Sequence, residues 1–310
     1  MKQVTDNKFH FIYGLEYYLK WKYGKNDYRF DVIQKHKNWF LHTNYYCLYD
    51  LINIEINRGR LDKTDNFLKL LLNKKLNYNV DTRKLLEYIC YTIDDEFLRE
   101  LSIFSISFNN INVNDFLSKG QVESKTWIID VLKNEVNLNI NNIAIYGCWY
   151  GFLAGLLFKE IATDLIRGFD INTKTTYRAD VFLQNYVNKN WKFKAIFSDV
   201  NELFVDSDNQ VHYSCHNAFQ ENILEINEFS LIINTSAEHM SDQWIKNFQK
   251  DQTILIQTNN MNHLEEHINC CESLDHAIEK YSKYGEIIWA GSKTMVTDYE
   301  RYMIILKTKV

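Results

Sequence analysis

Residues 142–151 read NIAIYGCWYG, an apolar strand that runs into two glycines four positions apart. A strand ending this way turns tightly, because glycine enters the left-handed region at no steric cost. Downstream the same rhythm repeats. LIRGFDI, FKAIFSDV, FSLIINTS and QTILIQTN are short segments, apolar on both faces, separated by helical stretches. Strands of that kind are buried in a parallel sheet, and their alternation with helices predicts a doubly wound α/β domain. GEIIWAGS and RYMIILKT then predict a terminal hairpin at the sheet's edge.

Upstream the period is helical. FHFIYGLEYYLKWKYG puts Phe11, Leu15, Tyr18 and Leu19 on one face. NWFLHTNYYCLYDLINIEI, NFLKLLLNKKL and DTRKLLEYICYTI continue that spacing, the last opening on Asp81 as an N-cap. The 310 residues are therefore expected to form an all-helical domain over 1–115 and an α/β domain over 116–310. Residues 1–120 hold 18 basic against 15 acidic side chains, and 121–310 hold 17 against 25. Neither half carries the basic excess of a protein that lives on phosphate backbones. The six cysteines form no CxxC pair, the first residues lack an apolar signal core, and no apolar run approaches a membrane span. The expectation is a reduced, cytoplasmic chain with no membrane partner. Gly at 10 and Pro at 0 leave boundaries to be read from Asn and Asp.

The segment IAIYGCWYG resembles the VLDLGCGTG pattern of class I S-adenosylmethionine-dependent methyltransferases. Gly147 and Gly151 fall on the flanking glycines, Trp149 replaces the central one, and Ile145 replaces an acidic residue. Asp170 ends the second strand, 19 residues after Gly151, where a carboxylate accepts both ribose hydroxyls of a bound nucleoside. Asp199 ends the third strand, where the family has a polar contact to the adenine amine. The terminal hairpin resembles the antiparallel pair that closes this family's sheet. The resemblance implies a Rossmann-like seven-stranded methyltransferase sheet with an N-terminal all-helical domain over the site. It implies S-adenosyl-L-methionine as cofactor, held by Gly147, Trp149, Gly151, Asp170, Ile171, Asp199, Val200 and Asn234. Gln121 and Lys125, on the helix before the first strand, are added as ligands of its methionine end.

At the end of the fourth strand, DNA amine methyltransferases carry an Asn/Asp-Pro-Pro-aromatic motif. This chain has Asn234-Thr235-Ser236-Ala237, which disfavours that activity. Glu238, His239 and His263 are the catalytic candidates, since histidine titrates near neutral pH. His263 and His267 are expected on one helix face, four residues apart. With Glu238 and His239 they offer a divalent-metal site, a lesser expectation than its absence. Small-RNA 2′-O-methyltransferases look similar here, although their further acidic ligand falls on Thr235. The leading expectation is methyl transfer to a small molecule or compact acceptor. Metal-assisted transfer to RNA and a degenerate, non-catalytic fold are the alternatives.

Overall fold

The computed structural model describes residues 10–42, 86, 89, 90, 92–108, 111–216, 222–295 and 299–309. The chain divides into two compact units, Met1–Thr126 and Trp127–Val310, the division falling inside a helix rather than at 115/116. The helices expected over 43–85, with Asp81 as a cap, lie outside the described residues.

In the first unit all described regular structure is helical: α1 (His10–Tyr23), α2 (Tyr28–His42), α3 (Glu96–Ser107), α4 (Val113–Phe116) and the start of α5 (Lys119–Asn134). The expected face of α1 is buried, with Phe11, Leu15, Tyr18 and Leu19 at most 2% exposed. Asp95 caps α3 through the Leu98 N–H and also accepts from the Tyr18 and Tyr23 hydroxyls and Lys22. Burial pushes this carboxyl up, but the Tyr23 hydroxyl, the Leu98 amide and the Lys22 charge outweigh it and hold Asp95 below the usual range.

The second unit is built on β1 (Asn142–Tyr146), β2 (Leu165–Asp170) and β3 (Phe193–Phe197), followed by β4 (Phe204–Val205), β5 (Gln210–His216) and β6 (Asn222–Glu228). After these come β7 (Leu231–Asn234), β8 (Thr253–Asn259), β9 (Gly285–Thr294) and β10 (Glu300–Thr308). Interleaved are α6 (Phe152–Glu160), α7 (Thr173–Phe182), α8 (Gln184–Val187) and α9 (Leu274–Ser282). Seven strands form one sheet in the order β3-β2-β1-β7-β8-β10-β9. Each segment the sequence marked as a strand is in it. The order reverses between β1 and β7, which opens a crevice beyond their carboxyl ends. Ile143 to Tyr146 and Leu231 to Asn234 are essentially inaccessible, as strands covered by helices on both faces must be.

Within the seven-stranded sheet β10 runs against its neighbours, pairing antiparallel with both β8 and β9. A reversed strand brings its beginning, not its end, to the carboxyl edge. Arg301 thereby comes opposite Asn259 in the register.

A second sheet, β4-β5-β6, is inserted between β3 and β7 and was not expected from sequence. Arg167 on β2 ties it to the main sheet. Its buried guanidinium donates to the Tyr213 hydroxyl at 2.9 Å and to the Trp191 carbonyl at 2.7 Å, with Glu225 3.6 Å away.

Candidate functional site

The turn after β1 holds three residues in the left-handed region: Gly147 at φ 69°, Trp149 at φ 50° and Gly151 at φ 79°. A Cβ on Gly147 would lie 2.6 Å from Ser236 Oγ and 2.7 Å from its Cβ, so the close approach of the loop after β7 to this turn favours glycine there. Trp149 holds a left-handed backbone that glycine would adopt freely, at a cost of about 1–2 kcal/mol for an L-residue. Its N–H donates to Asp170 Oδ2 at 2.9 Å. A hydrogen bond to a carboxylate contributes about 1.5–3 kcal/mol, which offsets the strain. The indole is half-buried and stacks on Tyr150 at 4.7 Å, with Arg178 beyond that ring. Cys148 is packed over Gly168, and burial pushes its thiol well up, so it offers no thiolate.

Asp170 faces this turn. Besides Trp149 it accepts from the Asn172 N–H at 2.9 Å and the Thr175 hydroxyl at 3.0 Å, both on Oδ1. Ile171 stands beside it, 68% exposed, as a free apolar surface at the sheet edge. Asp199 turns one oxygen back onto Asn201, accepting from its N–H and its side-chain amide. Val200 is 6% exposed and belongs to the core beneath the edge. Asn234 is fully buried, its amide engaged by Met240 Sδ and the Ser236 N–H, so it shapes the loop from inside. Gln121 and Lys125 lie in the first unit, Lys125 buried and Gln121 half-buried, and the Lys125 ammonium donates to Gln121 Oε1.

A second constellation sits at the ends of β7 and β8. Glu238 is 3% exposed. Its Oε1 accepts from Asn259 Nδ2 at 2.7 Å and lies 3.5 Å from Arg301 Nη2, while Oε2 has no hydrogen-bond partner. Ligand atoms of Glu238, His239 and His267 lie within 4.8 Å of one another. The two imidazoles meet edge to face at 4.6 Å. His239 Nδ1 is 3.1 Å from the Glu266 carbonyl, which only accepts, so Nδ1 is the donor in that contact. Burial lowers the His267 pKa below the ordinary value, and His239 adds to this against the opposing pull of Glu238. A depressed His267 is neutral at physiological pH and competent as a base or ligand.

The helix expected under His263 and His267 is not formed. Asn259 Oδ1 accepts the Met261 N–H, and successive turns follow at Leu264 and His267. His263 is consequently exposed and outside the Glu238–His239–His267 cluster. Asn259 and Arg301 were not anticipated. The signal for Arg301 lay in the antiparallel hairpin, whose second strand must start at the carboxyl edge.

No family model and no curated protein matches the chain. Solved structures similar to it include the N-methyltransferase NodS from Bradyrhizobium japonicum WM9 in complex with S-adenosyl-L-homocysteine. It has 12% identity and a TM-score of 0.42, over 61% of this chain and 87% of that one. Magnesium protoporphyrin IX methyltransferase ChlM from Synechocystis PCC 6803 with bound SAM has 12% identity and a TM-score of 0.45, over 75% and 100%. The methyltransferase domain of bacterial CtHen1-C has 16% identity and a TM-score of 0.40, over 59% and 96%. Likenesses this distant add no weight on activity, and the fold rests on the strand order. Seven strands ordered β3-β2-β1-β7-β8-β10-β9, with β10 alone reversed, are the Rossmann-like methyltransferase sheet that the sequence resembles.

Proposed function

We propose that the second unit binds S-adenosyl-L-methionine at the β1–β2 edge and transfers its methyl group to a small molecule or compact acceptor. The observation that carries this reading is the left-handed turn Gly147–Gly151 latched to Asp170. The residues fit the cofactor: a side-chain-free passage at Gly147, an acidic side chain at the β2 end with acceptor capacity left, and exposed Ile171 to cover a base. Bound there, the cofactor supplies a methyl carbon activated by a sulfonium. The chain's own part is to hold the nucleoside against Asp170 and to take a proton from the acceptor. His267, neutral and beside the partnerless Glu238 Oε2, is suited to that proton, and Glu238 to steadying the imidazolium that results. Isothermal titration with S-adenosylmethionine and S-adenosylhomocysteine is expected to give one site per chain for each. Absence of heat and of thermal protection with both would refute the reading.

A metal-assisted transfer to RNA is the second reading, favoured by the Glu238–His239–His267 trio. Two histidine nitrogens and one carboxylate oxygen form a donor set that suits a divalent transition metal and leaves a position open. The His239 Nδ1 contact to a backbone carbonyl is the support such ligands carry. Thr235 stands where a further acidic ligand would be. Titration with Zn²⁺ or Mn²⁺ is expected to give binding that Glu238→Gln weakens about 10–100-fold. Equal binding in both proteins would assign the metal elsewhere.

A further inference from the structure

Glu238 and His239 come from the segment after β7, whereas His267 comes from the connection between β8 and α9. Residues 260–268 of that connection form neither helix nor strand, so His267 needs support from elsewhere. Asn269, two positions on, is bonded at all four of its polar groups. Its N–H donates to the Glu238 carbonyl at 3.1 Å. Its Nδ2 has two protons, and its two nearest acceptors are the Met240 carbonyl and Asp242 Oδ1, each at 2.8 Å. The Ala237 carbonyl, at 3.1 Å, is left only a share of those protons. Its Oδ1 and its carbonyl both accept from Lys280 Nζ on α9. We infer that Asn269 is the positioning residue that sets His267 against Glu238 and His239. The inference rests on the role proposed for that trio and deepens it.

The surroundings call for an amide at this position. Carbonyls and a carboxylate face Nδ2, and these accept; an ammonium faces Oδ1 and only donates. A carboxylate of the same shape would satisfy one side and oppose the other, and an apolar side chain would satisfy neither. Lys280 also lies 3.5 Å from Asp242 Oδ2, and both side chains are at most 13% exposed, so water competes little for these bonds. Two residues of chain span at most about 7 Å. With Asn269 pinned to the segment that carries Glu238 and His239, the His267 backbone cannot stray further than that. The His239 Nδ1 contact to the Glu266 carbonyl ties the same connection from its other side.

The test is NMR of histidine-labelled wild type, Asn269→Asp and Asn269→Ala, with circular dichroism to check folding. The His239 and His267 rings have centres 4.6 Å apart, so wild type is expected to show a nuclear Overhauser contact between their ring protons. Both variants are expected to fold and to lose that contact. Asn269→Asp keeps the shape and the Lys280 contact but has no proton for Met240 or Asp242. If it does not fold, Asn269→Ala carries the test, since it keeps the backbone bonds and adds no charge beside Asp242. Titration with Zn²⁺ reads the same positioning as affinity, which should fall about 10–100-fold in the variants, as when a ligand's outer support is removed. A variant that melts at lower temperature yet keeps the ring contact and the wild-type Zn²⁺ affinity would overturn the inference, leaving Asn269 a purely structural part. Absence of the contact in wild type would overturn the inference and the trio together. A wild type that shows the contact but binds no Zn²⁺ would refute the metal reading alone, and the loss or survival of the contact in the variants would then decide the inference.

Discussion

Arg301→Met is expected to destabilise the second unit by about 3–5 kcal/mol, the cost of leaving a buried carboxylate without its partner. Glu238 and Arg301 are 3% and 6% exposed, so neither recovers hydration when the other is removed. Asn259 alone would remain on Glu238 Oε1, with Oε2 still lacking a partner. Were this a surface pair, the loss would be only about 0–1 kcal/mol, which makes the size of the effect diagnostic. Chemical denaturation measures it. The double variant Glu238→Gln, Arg301→Met should regain most of the loss, because the uncompensated charge is then gone. A single-variant loss under about 1 kcal/mol would mean that Glu238 is not held as a buried anion.

Gly147→Ala is expected to abolish cofactor binding and to cost about 2–5 kcal/mol in stability. Two penalties combine: about 1–2 kcal/mol for a side chain at φ 69°, and about 1–3 kcal/mol for forcing Ser236 aside. Ser236 can move little, since its N–H is held by Asn234 Oδ1 and its Cβ would be 2.7 Å from the new methyl. Gly24→Ala provides the comparison. It has φ 82° with nothing within 4 Å of a Cβ, so only the conformational cost applies. If both variants lost the same amount, the close passage of β1 beside Ser236 would not matter. Retention of S-adenosylhomocysteine binding in Gly147→Ala would remove the turn from the cofactor site.

The main sheet was legible because its strands are short, apolar on both faces and punctuated by glycine or aspartate. Residues 143–146 and 231–234 carry that pattern without interruption. The β4-β5-β6 meander is hidden in the sequence although VHYSC and NILEINE alternate in their burial, since half-exposed strands carry no continuous apolar run. The histidine pair failed for a different reason. His263 and His267 have helical spacing, but NNMNHLEEHIN is rich in asparagine, and Asn259 diverts the backbone into a turn that no periodicity records. Glu238 and His239 were readable as chemistry at a strand end. Asn259 and Arg301 were not, because their meeting depends on the register of β10 against β8, a contact more than forty residues long in sequence. Asp170 was found by its spacing from Gly151, whereas its engagement by Thr175 and Trp149 exists only in three dimensions.

A crystal structure of the protein with S-adenosylhomocysteine tests the central claim most directly. The expected result is adenosine across the Gly147–Gly151 turn, a ribose hydroxyl on Asp170 Oδ2, and Ile171 against the base. A ligand bound elsewhere, or the Trp149 indole lying where the nucleoside should be, would contradict it.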